Sequence, residues 1–262
     1  MGLFTRRTPP KPTPVSSTLK PAPVAAASAT RMAADAPQPP HTLTAFEEAL
    51  AGLIKRAAQM GNSVLKMVDA SALVFLEHNA ARAKELIQAD LNVDAQKDAL
   101  MAQAIDVLVR HQPVASDLRL VLAVEHLAGD LERCADHAKN IAKRALSVTT
   151  GGKLDPTIDN LIRSLHQAVT SMLDDALKAF TARDPNLAAE LTQRDSIPDA
   201  IYDDLFHAVI ARLQTNPGEA VTDVQVLFVG KSLERIGDHA TNIADEVRFL
   251  AHGDVPSATR RR

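Results

Sequence analysis

The sequence predicts an all-α protein built as two tandem three-helix bundles. Three observations predict it. Aromatic residues make up 3% of the 262-residue chain, with no Trp and one Tyr, while Ala, Leu, Glu, Lys and Arg dominate, which disfavours sheet and favours helix. Long apolar stripes recur at 4-3 spacing. Finally, Leu131-Glu132-Arg133-Cys134-Ala135-Asp136-His137-Ala138-Lys139-Asn140-Ile141-Ala142 returns 102 residues later as Leu233-Glu234-Arg235-Ile236-Gly237-Asp238-His239-Ala240-Thr241-Asn242-Ile243-Ala244, identical at nine of twelve positions. A copy at that distance implies two similar halves.

The elements follow in order. Residues 1–41 read as a disordered Pro/Ala-rich tail, since nine of the fifteen prolines fall in the first forty residues and such a segment buries too little apolar surface to offset chain entropy. The first repeat is placed at 42–148. Its first helix starts near Thr42 or Thr44 and carries Phe46, Leu50, Leu53, Ala57, Met60, Val64, Met67 and Val74. Gly61 interrupts this stripe, where either a neighbouring helix approaches closely or the helix bends. Asn79 caps a second helix with Leu86, Val93, Leu100 and Val107 at seven-residue intervals. After Pro113, Ser116 or Asp117 caps a third, whose stripe is Leu120, Val124, Leu127, Leu131, Cys134, Ala138, Ile141 and Ala145.

Gly151-Gly152 ends the first repeat, and Asp155-Pro156 opens the second, placed at 155–250, with a cap and an N1 proline. A shift of 105 residues carries the first two helices onto the fourth and fifth: Leu53 onto Ile158, Val64 onto Val169, Asn79 onto Asp184 and Asp90 onto Asp195. A shift of 102 carries the third onto the sixth. Pro198 should kink or interrupt the fifth helix. Residues 251–262 form a short C-terminal tail.

The formal net charge of −3 gives no bulk argument for nucleic-acid binding. One cysteine excludes an intramolecular disulfide framework, and no apolar run approaches the length of a bilayer span. These features predict a cytoplasmic protein. There is no glycine-rich phosphate loop, no Gly-x-Ser-x-Gly and no Glu-x-x-His pair of the di-iron bundles. Cys134 lies on the apolar stripe as core.

The chemistry sits in carboxylates. Glu132 and Asp136 are four residues apart, on one helix face. With Leu131 at heptad position a, they take positions b and f, away from the seam. Asp94 and Asp98 do the same on the second helix, with Asp90 one turn before. Asp199 and Asp203, after Asp195, repeat that row, and Glu234 and Asp238 repeat the other. Like charges at this spacing repel, so such a set calls for a cation, and hard divalent or trivalent metals take clustered carboxylate oxygens. The plainer alternative is a solvated acidic face balanced by Arg133, Lys139 and Lys143. His137 and His239 point elsewhere and read as packing or hydrogen-bonding residues. Asn140 and Asn242 continue the Asp136 and Asp238 rows toward the carboxylates or a partner. Arg119, at the start of the third helix and without a counterpart in the other half, is a candidate for holding an anion or carboxylate of a partner.

The doubled Leu-Glu-Arg-x-x-Asp-His-x-x-Asn-Ile-Ala, the Gln112-Pro113-x-x-x-Asp117-Leu118-Arg119 segment and the spaced aspartates of the second and fifth helices resemble the PhoU family of bacterial phosphate-signalling proteins, over about 42–250. The resemblance implies two three-helix bundles related by a pseudo-twofold and a cytoplasmic, often dimeric protein without catalytic activity. It implies repression of the phosphate regulon by linking the phosphate ABC transporter ATPase to the phosphate-sensing histidine kinase, with membrane contact only through those partners and none with nucleic acid. It also implies metal sites at Asp94, Asp98, Glu132 and Asp136, and at Asp199, Asp203, Glu234 and Asp238, for iron, zinc, manganese or magnesium. Arg119, Asn140 and Asn242 stay candidate partner contacts. The alternative is a carboxylate-cluster bundle with a storage or hydrolytic role.

Overall fold

The computed structural model describes residues 40–148 and 154–253, with side chains from Thr44 onward. The proline-rich segment up to residue 39, the Gly151-Gly152 break and the residues after 253 lie outside the described residues. Seven α-helices run through them: α1 (Pro40–Leu76), α2 (Ala80–His111), α3 (Ala115–Ser147), α4 (Pro156–Ala182), α5 (Pro185–Gln193), α6 (Ser196–Thr215) and α7 (Ala220–His252), with a 3₁₀ turn at Pro217–Glu219 before the last. The first bundle is α1–α3. The second is α4, the α5/α6 pair and α7. α1 also packs against α4, and α3 against α7.

The periodic positions are the core. Leu53, Ala57, Val64, Leu131, Cys134, Ile141, Leu165, Val169, Leu233, Ile236 and Ile243 are fully buried. Several helix starts are sealed by side chains foreseen as caps. The Asn79 carboxamide oxygen accepts from the Arg82 N–H at 3.1 Å, Asp155 from the Thr157 N–H at 2.8 Å and Asp184 from the Asn186 N–H at 2.9 Å. Three boundaries differ from expectation. α1 begins at Pro40, a residue preset for a first helical turn. α3 begins at Ala115 with neither Ser116 nor Asp117 as cap; the Asp117 N–H bonds the Val114 carbonyl at 3.1 Å instead. α7 reaches His252 and stops at Gly253, whose φ of 77° is the left-handed conformation that closes a helix.

Gly61 marks close packing. A Cβ there would lie 2.5 Å from Leu177 Cδ2 of α4. Pro198 interrupts the fifth predicted helix four residues upstream of itself. Its ring would clash with the carbonyl of Arg194, and the chain divides there into α5 and α6, leaving Pro198 in the first turn of α6. Pro198 then lies against Gly237, where a Cβ would come 3.2 Å from its Cγ. Val93 and Ala135 hold the corresponding places in the first half.

The halves meet as antiparallel helices. His126 Nδ1 of α3 lies 3.0 Å from Glu246 Oε1 of α7, and the Arg144 guanidinium of α3 sits 4.3 Å above the Phe228 ring of α7. A shift of 102 turns one pair into the other, which is the signature of a local twofold. Near its axis, the His137 and His239 rings stand 5.8 Å apart.

Candidate functional site: two carboxylate sets beside a pseudo-twofold seam

The first set lies where α2 meets α3. Asp94 and Asp98 are exposed, and Glu132 and Asp136 are partly covered. Burial raises the Asp94 carboxyl above its usual range, and the charges of Asp90, Glu132 and Asp136 push the same way. The two helices therefore do bring their acidic rows together. Asp90 does not continue an outward row. It is 4% exposed, because Lys139 reaches across from α3 and donates to both Asp90 Oδ2 and Asp136 Oδ1 at 2.5 Å. Burial lowers the lysine's proton affinity, but the two carboxylates outweigh it and hold Lys139 above the ordinary lysine range. Lys97 Nζ, from α2, lies 3.4 Å from Glu132 Oε2, and Arg133 stands 3.8 Å from the same oxygen.

The second set lies where α6 meets α7. Asp199 and Asp203 are exposed, and Glu234 and Asp238 partly covered. Burial raises Asp199, helped by the charges of Glu234, Asp238 and Asp195. Burial also raises Asp238, against the pull of Arg235. Lys231 pairs with Glu234, and Arg235 Nη1 lies 3.1 Å from Asp238 Oδ2, both from within α7. Asp195 leaves the start of α6 uncapped by its side chain and accepts from Thr241 Oγ1 at 2.7 Å.

Among the described residues, no three His, Cys, Asp or Glu side chains are already gathered tightly enough to hold a metal ion. The second set has the donor chemistry a hard cation takes, acidic oxygens from two helices, with the Lys231 charge of α7 acting on Asp199 of α6 as well as on Glu234. The first set carries inter-helix lysines inside it.

The tentative partner residues are spread apart. Asn140 is exposed. Asn242 donates to Asp130 Oδ1 of the other half at 3.2 Å, not to its own row. Arg119 reaches the end of α7, where a Cβ on Gly253 would lie 3.3 Å from its Nη1, and its Nε is buried without a hydrogen-bond partner.

Sequence reasoning missed Asp130. This carboxylate also meets His239 Nδ1 at 2.8 Å and faces a cavity of about 560 Å³ between α3 and α7, whose walls include Glu132, Arg133, Arg235, Asp238 and His239. Its repeat partner is Ser232, so duplication could not reveal it. His137, lacking such an acid, is held neutral: burial, and then the His239 charge, lower it to about 4. Cys134 is fully buried, and burial pushes its thiol well up.

The duplicated arrangement can be matched against known families. The PhoU domain matches twice, at residues 57–145 and 162–247. The chain belongs to the PhoU family. The first match covers most of α1–α3 and the second most of α4–α7. A phosphate-specific transport system accessory protein PhoU homolog of Rhizobium meliloti is 33% identical over 220 residues, which cover 84% of this chain and 92% of that protein. Its counterpart in Zymomonas mobilis is 34% identical over 221 residues, with the same coverage. The crystal structure of PhoU from Pseudomonas aeruginosa aligns with a TM-score of 0.76 at 29% identity, over 80% of this chain and all of that one. The phosphate transport system regulatory protein PhoU from Streptococcus pneumoniae aligns with a TM-score of 0.74 at 25% identity, over 81% of this chain and 99% of that one. No helix among the described residues of this PhoU-family chain is long and apolar enough to cross a membrane.

Proposed function

We propose that this chain is a non-enzymatic accessory protein of phosphate transport that represses phosphate uptake and starvation signalling. It does so as a cytoplasmic homodimer that links the phosphate ABC transporter, through its ATPase, to the phosphate-sensing histidine kinase. The observation that carries this reading is the duplicated PhoU domain, matched along both bundles and shared with relatives named as accessory proteins of that transport system.

The local chemistry supports a docking role over a catalytic one. Asp94, Asp98, Asp199 and Asp203 are exposed, within reach of another protein. Cys134, the chain's one thiol, is sealed in the core and cannot act as a nucleophile there. The carboxylate sets then serve as docking surfaces, directly or through a bound divalent or trivalent cation such as iron, zinc, manganese or magnesium.

The test is genetic. A strain lacking the gene should express phosphate-starvation phosphatase at high phosphate, and the wild-type gene should restore repression. Glu234→Ala with Asp238→Ala should restore it poorly while the purified variant keeps its helical circular dichroism. Intact repression in the deletion strain would sink the proposal.

A further inference from the structure

The outward rows of the second half do not stay polar. On α6, Asp199 and Asp203 are followed two turns on by Phe206 and Ile210, on the same helix face. On α7, the row of Glu234 runs back through Lys231 to Phe228 and Val224. All four apolar side chains are exposed, Phe206 at 42% and Phe228 at 48%. The antiparallel register is set by Arg212 beside Asp223 and by Gly230 against Leu205 and Tyr202, and it brings Phe206 about level with Phe228 and Ile210 with Val224. A single exposed apolar residue needs no explanation, but four along one furrow between two helices form a patch that does.

The repeat keeps part of this patch. The 105-residue shift carries Ile105 onto Ile210, and the 102-residue shift carries Leu122 onto Val224. Ile105 and Leu122 are exposed too. The aromatic places differ, since Met101 and His126 stand where the second half has Phe206 and Phe228. Aromatic side chains are the usual anchors of a protein interface. Phe228 is also braced: the Arg144 guanidinium lies 4.3 Å from its ring and is itself tied to Gln225 Oε1 at 3.2 Å. A ring held in place loses less freedom on binding.

Charge decides what this furrow takes. Asp199 and Asp203 are exposed at its acidic end, and Asp199 also feels the negative charge of Glu234, Asp238 and Asp195. An anionic lipid surface or a nucleic acid is repelled there. A second copy docked about a twofold would bury these acids against acids or against the apolar row. A helix with apolar side chains and, about 10 Å further along its axis, lysines or arginines satisfies both ends.

We infer that the furrow between α6 and α7 receives a basic amphipathic helix of a partner protein, with its apolar side chains on Phe206, Ile210, Val224 and Phe228 and its basic side chains on Asp199 and Asp203. The inference rests on reading the chain as an adaptor that docks other proteins, and it adds the surface and the chemistry of the docked segment.

The experiment is fluorescence anisotropy of the full chain with a labelled helical peptide that carries leucine and phenylalanine two turns from a pair of lysines. Wild type should bind it, more weakly as salt rises. Phe206→Ser with Ile210→Ser should weaken binding at least about tenfold, and Val224→Ser with Phe228→Ser should do the same should the first pair fail to fold by circular dichroism. Asp199→Asn with Asp203→Asn should weaken it and flatten the salt dependence. Ile105→Ser with Leu122→Ser should leave it nearly unchanged. No binding by the wild type, equal binding of a peptide with glutamates in place of the lysines, or unchanged binding by the folded serine variants of α6 and α7 would each overturn the inference. So would self-association of the wild type that blocks the peptide and is lost in Phe206→Ser with Ile210→Ser, which would give the face to a second copy. The assay involves neither transporter nor kinase, so peptide binding here beside intact repression in the deletion strain would count against the proposed role alone.

Discussion

Replacing Arg212 with Met should destabilise the second bundle far more than an ordinary surface change. Asp223 lies in the first turn of α7 with a side chain that is 0% exposed, and Arg212 Nε of α6 stands 3.1 Å from its Oδ1. Met keeps the apolar stem and removes the charge. Breaking a buried pair in this way costs about 3–5 kcal/mol. Arg212 keeps 16% exposure, so water can enter the gap, and the lower end, about 3 kcal/mol, is expected. For a domain of this size, that is a fall in Tm of roughly 6–12 °C. Burial already raises the Asp223 carboxyl, with Arg212 pulling it down and Glu219 and Asp155 pushing it up. A carboxyl raised in the fold contributes stability below its unfolded pKa, near 3.8, and loses it as pH rises through the folded value. The penalty of Arg212→Met should therefore shrink as pH falls from 7 toward 4. Urea unfolding at several pH values measures it. The double variant Arg212→Met with Asp223→Leu should recover most of the loss. A loss under about 0.5 kcal/mol, as for a neutral surface site, or no recovery in the double variant, would refute the reasoning.

His137 should make the fold acid-sensitive in a window set by its displacement from 6.5 to about 4. A depressed histidine stays neutral in the fold while the unfolded chain takes up a proton, so its stabilising contribution is lost as pH falls through that window. The full displacement corresponds to about 3 kcal/mol, and screening at this part-exposed ring reduces it to roughly 1–2 kcal/mol; His137→Gln should flatten that part of a urea-stability profile, and a parallel decline of both proteins would count against it. Gly230 should not tolerate Val, because a Cβ there would meet Leu205 Cδ2 at 2.6 Å and Tyr202 at 3.0 Å; overpacking of about 1–3 kcal/mol should appear in thermal melts, and an unchanged Tm would contradict it. Asp130→Asn should weaken the α3–α7 seam by about 1 kcal/mol by loosening His239 and Asn242, read as a lower urea midpoint.

The repeat explains how much was legible and how much was not. Apolar spacing placed the core because burial follows the helical period directly, and the caps at Asn79, Asp155 and Asp184 needed only local chemistry. The three mismatches within the twelve-residue motif required the fold. Cys134 against Ile236 is a core exchange. Ala135 against Gly237 makes sense only with Pro198, which arrives from another helix. Lys139 against Thr241 looks like ordinary surface variation until Lys139 is seen bridging two carboxylates across α2 and α3. Asp90 was read as outward for the same reason: periodicity cannot show that a lysine from a distant helix pulls it under cover. The seam between the halves was least visible, because contacts such as His126 with Glu246 and Arg144 with Phe228 exchange chemistry between copies and leave no repeated pattern.

The most direct test of the account is co-purification of the full chain with the transporter ATPase and the sensor kinase from the same extract. It should be run with and without a chelator, and with Glu234→Ala/Asp238→Ala beside Glu132→Ala/Asp136→Ala. The account predicts that both partners are retained by the wild type. The second-half variant should lose at least one of them, and the first-half variant should lose less. Retention of neither partner by the wild type, or equal retention by all three proteins, would contradict it.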